Sequence, residues 1–293
     1  MQAQNLLERH QYALVDRLSV GEDACKGLPI EPLIPNVLRP HASVMPGLLP
    51  LDPNAAYWQD LIDNLKQAHE GKSQHLLSAL LLVPEEIEPQ RLHKHLTDRL
   101  VLEGPSDRYF LRYFDPRVFT HLVYRILGAK QIQCLFGPIR EWTFRFQTEW
   151  ITVPEPGITE NVPLLWGVKA DQRAALDDVV VLNKALSGQK LALKRNWESI
   201  DEWRAAAQAG TAALQVARHL YHLVENEDIA SFICHSHIHG EHFHRHEIIQ
   251  HLLKRAVQPG QSYAGSSALL EEKDWAVIES ETGHQTIQHK QPS

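Results

Sequence analysis

The sequence predicts an α/β (α+β) protein: a mixed, partly parallel sheet flanked by helices, followed by a smaller all-helical C-terminal lobe. Three observations lead there. In the first half, short apolar and aromatic runs alternate with segments of helical periodicity, the pattern of strands joined by covering helices. That half has no Asn-Gly-type signal for a two-residue hairpin. From Ser199 onward only helical periodicity remains. The expected organisation is a sheet domain over 1–155, a mainly helical lobe over 156–270, and a polar, flexible tail over 271–293.

The elements follow in order. Tyr12 to Asp16 is a short strand. The closely spaced prolines from Pro29 to Pro53 predict a winding surface passage, with Gly47 to Asp52 as a brief extended piece. Trp58, Leu61, Ile62, Leu65 and Ala68 recur at helical spacing and predict a helix over 54–70 that stops at Gly71. Leu76 to Val83 is apolar except for Ser78 and reads as a buried strand. Pro89 opens a second helix at its first position, with Leu92, Leu96 and Leu100 on one face. Tyr109 to Phe114 reads as a strand of β-favouring residues. Asp115-Pro116 starts a helix carrying Val118, Phe119, Leu122, Val123 and Ile126, which ends at Gly128. A short helix through Ile132, Leu135 and Phe136 ends at Gly137-Pro138, and strands follow over 142–146 and 150–153. Residues 164–188 are ambiguous, with Val179 to Leu182 either a last strand or a turn of buried helix. Ser199-Ile-Asp-Glu202 is a capping box opening a helix to about Val224, and two shorter helices follow near 229–239 and 247–257.

Composition narrows the function classes. With 43% hydrophobic and 22% charged residues over 293 positions, the chain can bury a full core without disulfide or metal. Cys25, Cys134 and Cys234 lie far apart and form no CxxC pair, which fits a reducing compartment. The N-terminus lacks the basic and apolar regions of a signal peptide, and Leu76 to Val83 is too short to span a bilayer. The cytoplasm is the expected location. A net charge of −7 without a dense Lys/Arg block argues against nucleic acid or membrane as partner.

Two constellations invite a chemical reading. Cys234, His235, His237, His239, His242, His244, His246 and His251 crowd together, and His235/His239 and His242/His246 have the i, i+4 spacing that puts two rings on one helical face. A metal site on His235, His239, His242 and His246 is the alternative function, as a metal-binding protein or metal-dependent enzyme. The preferred reading is a polar helix–turn–helix edge carrying surface histidines, since no HExxH is present and Gly240 interrupts the run. Clustered histidines would also suit a pH-responsive interface. Asp115-Pro-Arg117 could place an acid beside an arginine, but aspartate at the N-cap and proline at the first helical position explain it structurally. Arg112 in an apolar segment needs a partner if it points inward, with Asp115 or a distant carboxylate able to serve. No GxGxxG, GxxxxGK[ST] or GxSxG occurs, so no catalytic or cofactor-binding residue is assigned. Trp58, Trp150, Trp166 and Trp197 are candidate exposed anchors for a protein partner.

One ordered series is more specific than any single motif. It comprises Pro46-Gly-Leu-Leu-Pro-Leu51, the strand Ser78 to Pro84, Arg112-Tyr-Phe-Asp-Pro-Arg117 and Phe136-Gly-Pro-Ile-Arg-Glu-Trp142. It resembles the adaptor/chaperone family of bacterial type VI secretion, the Tap or TEC proteins, over about residues 10–155. The hallmark positions are Arg112, Asp115, Pro116, Arg117, Phe136, Gly137, Pro138 and Trp142. A looser echo continues at His239-Gly-Glu-His-Phe243, whereas the histidine-rich lobe departs from the family. The resemblance implies a non-enzymatic cytoplasmic protein without cofactor. Its partners would be a toxic effector and the VgrG spike onto which that effector is loaded, and the hallmark residues would be structural.

Overall fold

The computed structural model describes residues 3–70, 72–103, 108–158, 166–194 and 196–283. Gly71, the expected helix stop, lies outside the described residues, as does part of the ambiguous stretch after 163. The chain divides into two compact units, Met1–Ala175 and Leu176–Ser293, so residues 156–175 fall with the first.

The first unit opens with α1 (Ala3–Glu8), β1 (Tyr12–Val15) and two single-turn helices, α2 (Arg17–Val20) and α3 (Glu22–Cys25). The proline-rich passage contains β2 (Glu31–Pro32), a 3₁₀ stretch over Asn36–Val44 and β3 (Gly47–Pro50). Then come α4 (Trp58–His69), β4 (Leu77–Leu82), α5 (Pro89–Arg99), β5 (Val101–Glu103) and β6 (Arg108–Phe110). Helix α6 (Pro116–His121) runs on into a π-helical turn over Leu122–Ile126. It is followed by α7 (Ala129–Phe136), β7 (Glu141–Phe146), β8 (Glu149–Pro154) and α8 (Ala170–Asp177).

Six strands form one sheet in the order β2-β3-β1-β4-β7-β8, and every hydrogen-bonded pair in it is antiparallel. This corrects the expected partly parallel sheet. The alternation of strand and helix is real: β3 and β4, joined by α4, point the same way because both run antiparallel to β1. Strand β1, made earlier in the chain, lies between them, a split β-α-β arrangement that leaves no parallel neighbours. Strands β7 and β8 form a hairpin with Phe146 opposite Glu149, so Gln147-Thr148 is a two-residue turn without glycine.

One cluster of the first unit joins Leu6 and Leu7 of α1 and Leu61, Ile62 and Leu65 of α4 to Ala13, Val15, Leu49 and Leu80 of the sheet. A second centres on Trp142, with Phe119 stacked at 4.8 Å and Tyr113 edge-on at 5.6 Å. The expected strand over 109–114 is shorter. Only Arg108–Phe110 pair with β5. Tyr113, Phe114 and Asp115 are all buried in succession, which the alternating faces of a strand do not allow.

The second unit is helical among its described residues. Val179 to Leu182 is the first turn of α9 (Val179–Leu193). Ser199 caps α10 (Ile200–Gln215), its Oγ accepting the Glu202 N–H at 3.1 Å, and a π-helical turn over Val216–Leu220 extends it. Then follow α11 (Asn226–His239), a 3₁₀ turn over Phe243–Arg245, α12 (Glu247–Ala256), α13 (Tyr263–Ser267) and α14 (Glu272–Thr282). Helix α14 occupies the expected flexible tail, and its Ile278 is fully buried in the core of this unit. The rest of that tail lies outside the described residues. No helix among the described residues is long and apolar enough to cross a membrane.

Candidate functional site

The hallmark residues separate into an ionic chain and an aromatic core. Asp115 N-caps α6, its carboxylate accepting the backbone N–H of Arg117 at 3.0 Å. The same carboxylate takes the Arg117 guanidinium in a two-point pair, Nε at 3.0 Å and Nη2 at 2.8 Å. These hydrogen bonds, more than the Coulomb attraction beside them, hold Arg117 more firmly protonated than usual. On its other side Asp115 lies 3.5 Å from Arg112, which also reaches Asp16 at 3.1 Å. Asp16 in turn caps α2 through Ser19. Both aspartates are buried, so the chain Asp16–Arg112–Asp115–Arg117 ties the end of β1 to the start of α6 with each buried charge paired. Both partners foreseen for Arg112 are used, Asp115 and a carboxylate distant in sequence.

Phe136 and Trp142 are fully buried and close the aromatic core. Gly137 ends α7 at φ +56°, and Pro138 follows where no helix can continue. His95 of α5 donates from Nε2 to the Leu135 carbonyl at 2.9 Å, laying its ring against Gly137. Burial pushes the His95 imidazole down to about 4, against the opposing pull of the Leu135 carbonyl.

Comparison with known proteins finds no matching family model, no matching curated protein and no matching solved structure.

The histidine cluster is dispersed among separate partners. His235 is hydrogen-bonded to Tyr263 Oη at 2.9 Å, and His239 donates from Nδ1 to Glu279 at 2.7 Å while stacking on Trp275 at 3.9 Å. His244 is bonded to Tyr221 Oη at 2.7 Å. His246 caps α12 by accepting the Ile248 N–H and lies 3.0 Å from Glu281. His242 is 3.5 Å from Glu241. Among the described residues, no group of three or more His, Cys, Asp or Glu side chains is placed to hold a metal. Burial raises the Cys234 thiol to about 11, so it is protonated and a poor nucleophile near pH 7. The i, i+4 spacing is present, but these rings are used for packing, capping and pairing within the helical unit.

The candidate tryptophan anchors are less available than expected. Trp58 is buried in the α4 cluster, and Trp150, Trp166 and Trp197 are half-buried. The exposed apolar surface is elsewhere. Of the twelve large hydrophobic residues exposed among the described residues, nine belong to the second unit, the others being Leu18, Val37 and Phe110. Val180 and Leu191, 69% and 79% exposed, are eleven positions apart on α9 and so share one face.

Sequence reading missed one further site. A cleft of about 270 Å³ opens beside the ionic chain, lined in part by Asp16, Asp115, Arg117, His75, Arg145 and Gln147.

Proposed function

We propose that this chain is a non-enzymatic cytoplasmic adaptor that binds a type VI secretion effector and helps load it onto the VgrG spike. The observation carrying this reading is the use made of the hallmark residues. Arg112, Asp115 and Arg117 pair and cap, Gly137 and Pro138 end a helix, and Phe136 and Trp142 fill the core. They serve as scaffold, in keeping with the structural role that the resemblance implies. The exposed apolar residues of the helical unit support it from the other side, since a binding module must present apolar anchors to its cargo.

The test is co-expression with the products of the neighbouring effector and VgrG genes. The adaptor reading expects both to be retained on the purified chain, and effector delivery to stop when the gene is deleted although the spike still assembles. Replacing Val180 and Leu191 together with aspartate should weaken effector retention without loss of helix content. A folded chain that retains neither protein overturns the reading.

A further inference from the structure

Arg145 is left over when the ionic chain beside it is fully paired. Asp16 and Asp115 are matched by Arg112 and Arg117, two negative charges against two positive. Arg145, near the end of β7, lines the same cleft with no carboxylate paired to it among the described residues, and burial alone moves its guanidinium, downward. His75, just before β4, lines the same cleft with both ring nitrogens sealed from solvent. Burial first, and the charge of Arg145 next, push this imidazole down to about 4, while hydrogen bonding to the Ala68 carbonyl opposes them, so the ring is neutral near pH 7.

A half-buried cation without a counterion is costly to keep. The cleft therefore has one unmatched positive charge and apolar walls from Val20, Leu76 and Pro116. With Asp16 and Asp115 neutralised by their arginines, a single positive charge is left, which one carboxylate cancels and a dianion such as phosphate would exceed. One carboxylate on a short apolar body matches in charge and surface.

We propose that the cleft between Arg145 and His75 binds a monoanionic carboxylate carried on an apolar group. The Arg145 guanidinium makes the charge-assisted pair, and Val20, Leu76 and Pro116 cover the apolar body, with the neutral His75 ring closing the cleft behind them. The carboxylate can come from a free small acid or from the C-terminus of a polypeptide. The site stands independently of the adaptor reading, because it needs neither effector nor spike.

The experiment is titration of the full chain with N-acetyl-leucine, followed by calorimetry and by the Arg145 Nε–Hε resonance. Saturable binding at roughly millimolar affinity is expected. N-acetyl-leucinamide and inorganic phosphate should each bind at least about tenfold more weakly, as should acetyl-leucine to Arg145→Gln, because each lacks the charge-assisted pair or, for phosphate, the apolar body and the single charge. Equal binding of acid and amide, equal binding of phosphate, no saturable binding, or unchanged binding by a folded Arg145→Gln overturns the site. Should Arg145→Gln fail to fold, the wild-type resonance decides: movement on titration supports the site and immobility overturns it. A short peptide with a free C-terminal leucine separates the two sources, tighter binding than acetyl-leucine assigning a chain terminus and equal binding a free acid.

Discussion

The His95 imidazole fills the volume that a Cβ on Gly137 would occupy. The two are bound together from both sides. Gly137 is held at φ +56°, which L side chains rarely adopt, and His95 is held by its bond to the Leu135 carbonyl. Any side chain at 137 must therefore strain the backbone and displace a buried ring. Gly137→Ala should cost about 2–4 kcal/mol, with strain of about 1–2 kcal/mol at the left-handed position and the rest from the displaced ring. Urea unfolding measures this. Adding His95→Ala should recover the steric part but not the backbone part, so the pair should be strongly non-additive.

Asp115 does two separable things, capping α6 and pairing with Arg112 and Arg117. Asparagine keeps the cap and loses the charge, whereas alanine loses both. Asp115→Asn should destabilise the first unit, and Asp115→Ala should destabilise it further by about 1 kcal/mol, the usual worth of a cap. Equal stabilities for the two variants would show that the cap contributes nothing. Chemical unfolding of wild type and both variants at pH 7 gives the answer.

How much of this was legible beforehand varies with the physics of each part. Caps and amphipathic faces are local, so Asp115-Pro116, Ser199 and the stripe on α4 could be read directly. Strand direction was not, because it depends on β1 returning between β3 and β4, a long-range choice that leaves no local mark. The β7–β8 hairpin was missed because Gln147 takes φ +57° without being glycine. Helix α14 was missed because its one fully buried apolar residue, Ile278, makes no periodic pattern. The hallmark positions could be singled out, yet the Arg145–His75 cleft could not. A lone arginine in a strand and a lone histidine before another carry no spacing signal.

Acid should weaken both units. His95 in the first and His235 in the second are each pushed down to about 4, in both cases first by burial; His239 adds to this at His235. An unfolded histidine titrates near 6.5, so between 6.5 and 4 the unfolded chain binds more protons than the folded one. The stabilisation is therefore complete above pH 6.5 and is lost as the pH falls towards 4. Each histidine should contribute on the order of 2 kcal/mol to the difference between pH 7 and 4.5. Urea midpoints at the two pH values test this, and His235→Gln should shrink the loss in the second unit.

Helix α14 should be needed for the helical unit to hold together. Ile278 is fully buried among the residues of that core, and Trp275 stacks face to face on His239 with their planes 6° apart. Glu279 accepts the His239 Nδ1–H one turn further on, so three side chains of α14 grip the unit through apolar, aromatic and ionic contacts. Ile278→Ala should cost about 2–4 kcal/mol, the range for emptying a packed aliphatic site. Glu279→Gln should cost less, because the amide oxygen can still accept the histidine proton and only the charge assistance is lost. If α14 were a loosely attached tail, both variants would melt with wild type in a thermal scan. The structure requires Ile278→Ala to melt several degrees lower.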